Sequence, residues 1–202
     1  MKFIAIIPAR YASTRFPGKP MALLKGKPII QWVYERVSKV FNDTYVATDD
    51  ERIEQCVRSF GGKVIMTSPD HRSGTDRCHE AYTKTGTTAD VVVNVQGDEP
   101  FIATSQLESI KKCFEDADTH IATLVKPFAG NAQWEDLQNP NSPKVVVDNN
   151  HFALYFSRSV VPYLRGVEKE EWLKRHVFYK HIGLYAYRTE TLSEIVAMPQ
   201  SS

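Results

Sequence analysis

Apolar residues in the first half of the chain alternate between short compact runs and longer amphipathic stretches. The runs Phe3–Ile7, Thr44–Thr48, Lys63–Met66 and Asp90–Val95 predict buried strands. Apolar positions at helical spacing predict helices over Pro28–Val40, from Asp49 or Asp50 to Phe60, over Ser73–Lys84 and over Ser105–Phe114. Strands that alternate with helices of about ten residues indicate βαβ units and a mostly parallel sheet.

The pattern changes after residue 126. Pro127–Ser142 shows no periodicity, and Lys144–Val147 and Phe152–Ser157 predict a hairpin around Asp148-Asn149-Asn150. The remaining segments predict a short charged helix over Glu168–Arg175, an aromatic-rich strand over Val177–Tyr187 and a helix over Thr189–Met198. We therefore expect one α/β domain over residues 1–202, with a three-layer, Rossmann-like, mostly parallel mixed sheet flanked by helices and a smaller antiparallel or lid portion.

Composition narrows the class of protein. The 202 residues carry 25 Lys+Arg against 24 Asp+Glu, a net charge of +1. A dedicated nucleic-acid binder is usually basic, so we expect no nucleic-acid partner. No apolar run approaches the roughly 20 residues of a membrane span, and the apolar run after Lys2 is shorter than a signal peptide requires. Three scattered cysteines without a C-x-x-C pair predict a reduced, cytoplasmic chain with no zinc site.

Ligands of open α/β sheets bind at the carboxyl ends of the strands, so the loops there are the first to inspect. The loop Pro8–Pro20 carries Arg10, Arg15 and Lys19, and no acidic residue occurs between Met1 and Tyr34. Arginine forks and a lysine charge beside a glycine suit phosphate oxygens, although the loop is not a P-loop. The alternative is a solvated basic loop.

The loop Gln96–Pro100 supplies carboxylates opposite this basic loop. Asp98 could ligate Mg²⁺, which takes one or two carboxylates together with substrate phosphates. The alternative is that Asp98 caps a turn. Gln96 could contact a base or a sugar, or simply bond the strand end. A basic loop facing an acidic one predicts nucleotide chemistry with Mg²⁺.

The loop Ser68–Arg77 is a weaker candidate. Its Ser73-Gly74-Thr75 turn could wrap a base or ribose, and Arg77 could contact a phosphate or pair with Asp76. Helix N-capping explains Ser73 or Thr75 equally well.

Polar residues in the second half suit a sugar acid. Arg158 follows a predicted strand and could clamp a carboxylate. His181 and Tyr185 fall on one face of another strand, together with Gly183, and could bond sugar hydroxyls. The alternative is a hydrogen-bonded strand histidine and a core tyrosine.

The motifs IIPARYASTRFPGKP, HRSGTDR, VVVNVQGDEP, ALYFSRSVVPY and HIGLYAYR occur in this order along nearly the whole chain. Together they resemble the CMP-Kdo synthetases, the 3-deoxy-manno-octulosonate (Kdo) cytidylyltransferases of lipopolysaccharide synthesis. The first motif is shared with wider nucleotidylyltransferases, including CMP-sialic acid synthetases. The combination with QGDEP, YFSR and the HIG motif is more specific to the Kdo enzymes.

The resemblance implies a nucleotidyltransferase-type fold and the reaction CTP + Kdo → CMP-Kdo + pyrophosphate, in which the anomeric hydroxyl attacks the α-phosphate in line. It implies catalytic roles for Arg10, Lys19 and Asp98, with Asp98 as the Mg²⁺ ligand. It implies CTP binding by Pro8, Ala9, Arg10, Arg15, Lys19, Ser73, Gly74, Thr75 and Arg77. It implies sugar binding by Gln96, Arg158, His181 and Tyr185. Residues 1–126 would bind the nucleotide, and residues 127–202 would bind the sugar and form a homodimer.

The family continues with an L-E-Q-L-R-type helix and a V-D-T-P-E-D-L segment whose Asp is the second metal ligand. The present sequence reaches Ser202 before either, so we expect that ligand to be missing from these residues. Two alternatives stay open: a synthetase of the CMP-sialic acid type for another sugar acid, and a catalytically silent CTP-binding fragment.

Overall fold

A computed structural model describes residues 1–12 and 16–199. These residues form two compact units. The first unit comprises residues 1–122 together with 184–199, and the second comprises Thr123–Gly183. The first boundary lies at residue 122 rather than at the expected 126, and the second half of the last strand and the last helix return to the first unit.

The first unit follows the predicted alternation closely. Its strands are β1 (Phe3–Pro8), β2 (Leu23–Leu24), β3 (Lys27–Pro28), β4 (Thr44–Thr48), β5 (Val64–Met66) and β6 (Val91–Asn94). Its helices are α1 (Ile29–Val37), α2 (Glu51–Ser59), α3 (Gly74–Thr85), α4 (Thr104–Lys112) and, near the end of the chain, α7 (Thr189–Ala197). Two strands cross from one unit to the other, β7 (Ile121–Pro127) and β10 (Tyr179–Arg188).

The sheet of the first unit has the order β5-β4-β1-β6-β10. Strand β1 lies between β4 and β6 and is parallel to both, and β4 is parallel to β5. The carboxyl half of β10 is antiparallel to β6, with Tyr185 opposite Asn94. The predicted mostly parallel mixed sheet is confirmed. Because β1 and β6 are parallel neighbours, the loops that follow them emerge at the same edge.

Helices cover both faces of this sheet. Alternate residues of a strand point to opposite faces. Ile4 and Ile6 pack in a buried cluster with Cys78 of α3 and Leu192 of α7. Phe3 faces the other way, where its ring lies 6.3 Å from that of Phe41 and 6.1 Å from that of Phe114. The three-layer arrangement is therefore confirmed for this unit.

Caps fix two helices of the first unit at their predicted starts. Asp50 accepts a hydrogen bond from the Arg52 backbone N–H (3.0 Å) and caps α2. Ser73 and Asp76 form a reciprocal capping box on α3. Helix α2 therefore begins directly after the loop that follows β4, and α3 begins directly after the loop that follows β5.

The second unit is built from antiparallel strands around a small aromatic core. Strands β8 (Lys144–Val147) and β9 (Ala153–Ser157) form the predicted hairpin, and the first half of β10 pairs with β8. The short helices α5 (Trp134–Gln138) and α6 (Trp172–Arg175) frame the core. In that core, Trp172 stacks on Phe178 at 6.0 Å and contacts Trp134 edge-on at 5.3 Å.

Some short elements depart from the expectation. The irregular segment predicted over Pro127–Ser142 contains helix α5, because buried Leu137 is held in the aromatic core. Strands β2, β3 and β7 were not predicted; the first two form a separate two-stranded ladder. Among the described residues no helix has the length and apolarity that crossing a membrane requires.

Candidate active site

A cavity of about 420 Å³ opens in the first unit where β1 and β6 end and α3 begins. It is lined by Pro8, Ala9, Arg10, Ala12, Lys19, Pro20, Gly74, Arg77, Gln96, Gly97 and Asp98. The basic loop after β1 and the acidic loop after β6 thus share one cavity, as parallel neighbouring strands require. Arg15 belongs to the same loop and lies outside the described residues.

The two loops are joined by an ion pair. The Lys19 ammonium donates to Asp98 Oδ2 at 2.7 Å. Both side chains are partly exposed, at 40% and 47%. A pair this exposed contributes little stability because water screens it. Both charges therefore stay available to a ligand in the cavity.

Arg77 is the buried cation of the cavity, only 2% exposed. Its Nη1 donates to Thr67 Oγ1 at 2.5 Å and lies 3.1 Å from Asp49 Oδ1, without hydrogen-bond geometry to that oxygen. Burial lowers the pKa of Arg77, Asp49 raises it, and Arg10 lowers it. An arginine stays charged under such shifts, since its ordinary pKa is above about 12. The guanidinium is therefore a fixed positive charge in the cavity wall.

Two glycines let backbone segments approach closely at the cavity. A Cβ on Gly97 would lie 2.8 Å from the Pro8 carbonyl oxygen and 3.3 Å from Ile30 Cδ1. A Cβ on Gly74 would lie 3.4 Å from Pro8 Cγ. The loop after β6 and the start of α3 can both pack against the end of β1 because these side chains are absent.

The Ser73-Gly74-Thr75 turn has structural partners of its own. The Ser73 hydroxyl accepts from the Asp76 backbone N–H (3.1 Å) and donates to Asp76 Oδ2 (2.8 Å). Thr75 hydrogen-bonds the Tyr187 hydroxyl, whose pKa burial raises to about 12 against the opposing effect of that bond. Of the three residues, Gly74 lines the cavity. The Ser73 side chain therefore caps helix α3, which is the structural alternative given for it from the sequence.

The four predicted sugar-binding residues are divided between the units. Gln96 lines the cavity of the first unit, and Tyr185, in the same unit, stacks on Tyr187 at 6.1 Å. Burial raises the pKa of Tyr185. Arg158 and His181 belong to the second unit.

In the second unit the Arg158 Nη1 donates to the Pro140 carbonyl at 2.8 Å, and the side chain is exposed. His181 Nε2 lies 2.9 Å from Thr123 Oγ1, and its ring meets Phe156 edge-on at 5.4 Å. Burial lowers the pKa of His181, which favours the neutral imidazole. His181 is therefore suited to hydrogen bonding rather than to charge.

Comparison with known proteins identifies the family. A family model described as cytidylyltransferase matches residues 4–202. This chain belongs to the cytidylyltransferase family. It is 68% identical to the 3-deoxy-manno-octulosonate cytidylyltransferase of Phocaeicola vulgatus, covering the whole of this chain and 80% of the relative. It is 66% identical to the protein of the same name from Bacteroides thetaiotaomicron, covering the whole chain and 81% of the relative.

Solved structures agree with this membership. A CMP:2-keto-3-deoxy-manno-octonic acid synthetase complexed with CTP superposes with a TM-score of 0.88 at 42% identity, over 100% of this chain and 80% of that one. A cytidylyltransferase from Leptospira borgpetersenii shares the fold, with a TM-score of 0.62 at 16% identity. The fold and the motifs therefore lead to the same family.

Two charged residues that contact predicted site residues, Asp49 beside Arg77 and Lys144 beside Arg158, are not among the residues that the sequence singles out. Asp49 faces Arg77 and follows β4 at its carboxyl end; the sequence places it at the start of a predicted helix and gives it no ligand role. The sequence predicts Lys144 as the first residue of a strand, and its ammonium is buried beside the Arg158 carbonyl. The position of Asp49 at a strand end was a usable signal, whereas nothing in the local sequence marked Lys144.

Proposed function

We propose that this cytidylyltransferase transfers CMP from CTP to Kdo and releases pyrophosphate. The observation that carries the proposal is the cavity in which Arg10, Lys19 and Arg77 meet Asp98 at the ends of β1 and β6. Relatives with 68% and 66% identity over the whole chain bear the name of that activity. The reaction also gives the sugar-binding side chains a use that CTP binding alone would not.

Positive charge carries the phosphate chemistry in this proposal. Arg10, Lys19 and Arg77 would bind the triphosphate, with Arg15 assisting. The anomeric hydroxyl of the sugar acid attacks the α-phosphorus and gives up its proton to solvent, and the bond to the leaving pyrophosphate breaks. Negative charge grows on the phosphate oxygens during this step, so fixed cations aimed at them lower the barrier. Buried Arg77 needs the least reorganisation, since Thr67 and Asp49 already hold it.

Asp98 would hold Mg²⁺ beside the triphosphate. The residues present fit this ion, because Mg²⁺ accepts one or two carboxylates and completes its shell with phosphates and water. Asp98 reaches the cavity as a half-exposed carboxylate. When bound, the ion would offset charge on the phosphate oxygens. Lys19, now paired with Asp98, would then turn to the phosphates.

Small and backbone groups would surround the cytidine. Pro8, Ala9 and Gly74 line the cavity and leave room for a flat ring close to the main chain. Ser73 and Thr75 would contribute mainly by shaping the turn, since Ser73 bonds Asp76 and Thr75 bonds Tyr187.

The sugar acid would be recognised by its carboxylate and hydroxyls. Arg158 would pair with the carboxylate, for which its planar fork is suited. His181, with its lowered pKa, would hydrogen-bond a hydroxyl. Contacts of Gln96 and Tyr185 with the same sugar stay predictions.

A homodimer and a cytoplasmic location belong to the same proposal. Strand β9 of the second unit exposes Leu154 at 65% and Phe156 at 44% on one face, which suits a subunit contact. Cys56, Cys78 and Cys113 are all unpaired, as in a reducing compartment. Light scattering after size-exclusion chromatography tests the dimer, and a monomer at micromolar concentration would contradict it.

The decisive assay measures pyrophosphate release from CTP and Mg²⁺, with Kdo and with N-acetylneuraminic acid in parallel. Release with Kdo alone supports the proposal. Release with N-acetylneuraminic acid supports the alternative of another sugar acid, and CTP binding without release supports the silent CTP-binding alternative. Lys19→Met should abolish most of the release, while Lys39→Met, an exposed lysine after α1, should not.

A further inference from the structure

Lys144 occupies a place that lysine rarely takes. It opens strand β8 of the second unit and is 0% exposed. In the register of the sheet it lies between Ser157 of β9 and Lys180 of β10. Burying an ammonium is unfavourable unless every donor finds an acceptor. The acceptors of Lys144 therefore indicate what the residue is for.

All three donors of the ammonium are used on main-chain carbonyls. Lys144 Nζ lies 3.0 Å from each of the carbonyl oxygens of Asn139, Ser142 and Arg158. An ammonium has three N–H donors, so the set is complete. Burial lowers the pKa of Lys144. The ammonium thus joins the segment before β8 to the end of β9.

Arg158 is tied to the same segment by its side chain. Its Nη1 donates to the Pro140 carbonyl at 2.8 Å. Pro140 lies between Asn139 and Ser142, the two segment residues whose carbonyls accept from Lys144. Lys144 therefore fixes both the backbone from which Arg158 extends and the carbonyl that orients its guanidinium.

Such an arrangement matters because Arg158 is exposed. A free arginine side chain loses considerable rotamer entropy when a ligand immobilises it. A guanidinium already held by one N–H loses less, and it binds a carboxylate correspondingly better. We propose that Lys144 is a positioning residue that pre-orients Arg158 for the carboxylate of the sugar acid. This inference rests on the role given to Arg158 in the proposed function.

The kinetic test replaces Lys144 by methionine, which keeps the length and removes the donors. In Lys144→Met we expect the KM for Kdo to rise about tenfold, the scale of one side chain losing its pre-orientation. The affinity for CTP, measured by calorimetry, should stay unchanged, because the cavity belongs to the first unit. Lys126→Met, an exposed lysine of β7, is the matched control and should leave both values unchanged.

A double-mutant cycle asks whether Lys144 acts through Arg158. In an Arg158→Ala background, adding Lys144→Met should raise the KM for Kdo no further. Equal effects in both backgrounds would overturn the proposal. A rise in KM for CTP equal to that for Kdo would overturn it as well, since it would indicate a general loss of structure.

A chemical readout separates this proposal from the proposed function. Phenylglyoxal modification of Arg158, followed by peptide mass spectrometry, needs no substrate. We expect faster modification at Arg158 in Lys144→Met and an unchanged rate at exposed Arg165, the internal reference. Faster modification in a protein that releases no pyrophosphate with Kdo would refute the proposed function and retain the positioning of Arg158. An unchanged rate at Arg158 would refute the positioning itself.

Lys144→Met leaves three carbonyl oxygens without their donor, which works against folding of the second unit. Lys144→Arg therefore serves as the second variant, because it keeps a buried charge with several donors. Far-ultraviolet circular dichroism and CTP affinity report folding. Partial rescue by Lys144→Arg of both the KM for Kdo and the Arg158 modification rate supports the proposal. Unfolding of both variants would assign Lys144 to the stability of the unit and overturn the positioning role.

Discussion

The Lys19 ammonium and the Asp98 carboxylate lie 2.7 Å apart on the wall of the cavity. They come from loops 79 residues apart in sequence, which β1 and β6 bring together as parallel neighbours. Because both are partly exposed, the pair adds little to stability. In the proposed function its significance is chemical, since Lys19 would serve the phosphates and Asp98 the metal ion, and the pair keeps the two charges side by side before a ligand binds.

Asp98→Asn should lower turnover about 100-fold or more, because one electrostatic group aimed at developing charge has that weight. The concentration of Mg²⁺ that gives half-maximal rate should rise, since the amide is a poorer ligand for the ion. Both are measured by pyrophosphate release over a Mg²⁺ titration. Glu99→Gln is the control, because the neighbouring carboxylate does not line the cavity. Normal turnover in Asp98→Asn would remove Asp98 from the mechanism.

Asp49→Asn tests the anchoring of Arg77. The substitution leaves the buried guanidinium without its compensating charge, 3.1 Å away. Asp49 is partly exposed, so we expect a loss in the free energy of unfolding of about 1–3 kcal/mol, less than for a fully buried pair. CTP should bind about tenfold more weakly, which equals about 1.4 kcal/mol.

The matched control for that experiment is Asp50→Asn. It removes a carboxylate from the same loop and preserves the cap on α2, because asparagine caps as well as aspartate does. Calorimetric titration with CTP compares the two variants. If Asp49→Asn binds CTP as the unaltered protein does, Arg77 does not depend on Asp49.

The sequence predicts correctly which charged loops meet where their meeting follows from the order of parallel strands. Arg10 and Lys19 after β1, and Asp98 after β6, had to meet once the sheet was recognised as parallel. The hairpin of β8 and β9 was equally readable, because Asp148-Asn149-Asn150 favours a turn between two apolar runs. These features depend on local pattern and one topological rule.

The contacts made by Asp49 and Lys144, and the existence of helix α5, depend on tertiary packing. Asp49 and Arg77 lie 28 residues apart, and no periodicity relates them. Lys144 precedes a run of three valines. Two of the carbonyls that accept its hydrogen bonds, those of Asn139 and Ser142, belong to a segment without hydrophobic periodicity. Helix α5 is five residues long and rests on Leu137 packed in the aromatic core. Isolated helices of that length are unstable, so its sequence carries little helical signal.

Gly97→Ala should disturb the cavity without altering any charge. The added Cβ would lie 2.8 Å from the Pro8 carbonyl oxygen, so one of the two loops must move. We expect a loss of about 1–3 kcal/mol in the free energy of unfolding, as for overpacking, together with weaker CTP binding. Gly183→Ala is the control, because a Cβ there meets nothing within 4 Å. Urea unfolding and CTP titration check both, and equal behaviour of the two variants would contradict the close approach.

The carboxyl of Glu80 in α3 makes the free energy of unfolding depend on pH in the acid range. Burial raises the pKa of its carboxyl, but hydrogen bonds from Lys84, the Ser68 backbone N–H and His71 outweigh burial and bring the pKa to about 2 from an ordinary 4.5. A carboxyl with a lowered pKa stabilises the folded state fully above its unfolded pKa. This contribution is lost as the pH falls from 4.5 toward 2.

Glu80→Gln should therefore be less stable than the unaltered protein at neutral pH, and its free energy of unfolding should fall less steeply between pH 4.5 and the pKa of about 2. Urea unfolding at a series of acid pH values measures both slopes. Glu108→Gln, half-exposed on α4, is the control and should keep the slope of the unaltered protein. Parallel slopes for Glu80→Gln and the unaltered protein would show that the acid sensitivity arises from other carboxyls, because only a group titrating differently in the two states contributes to the slope.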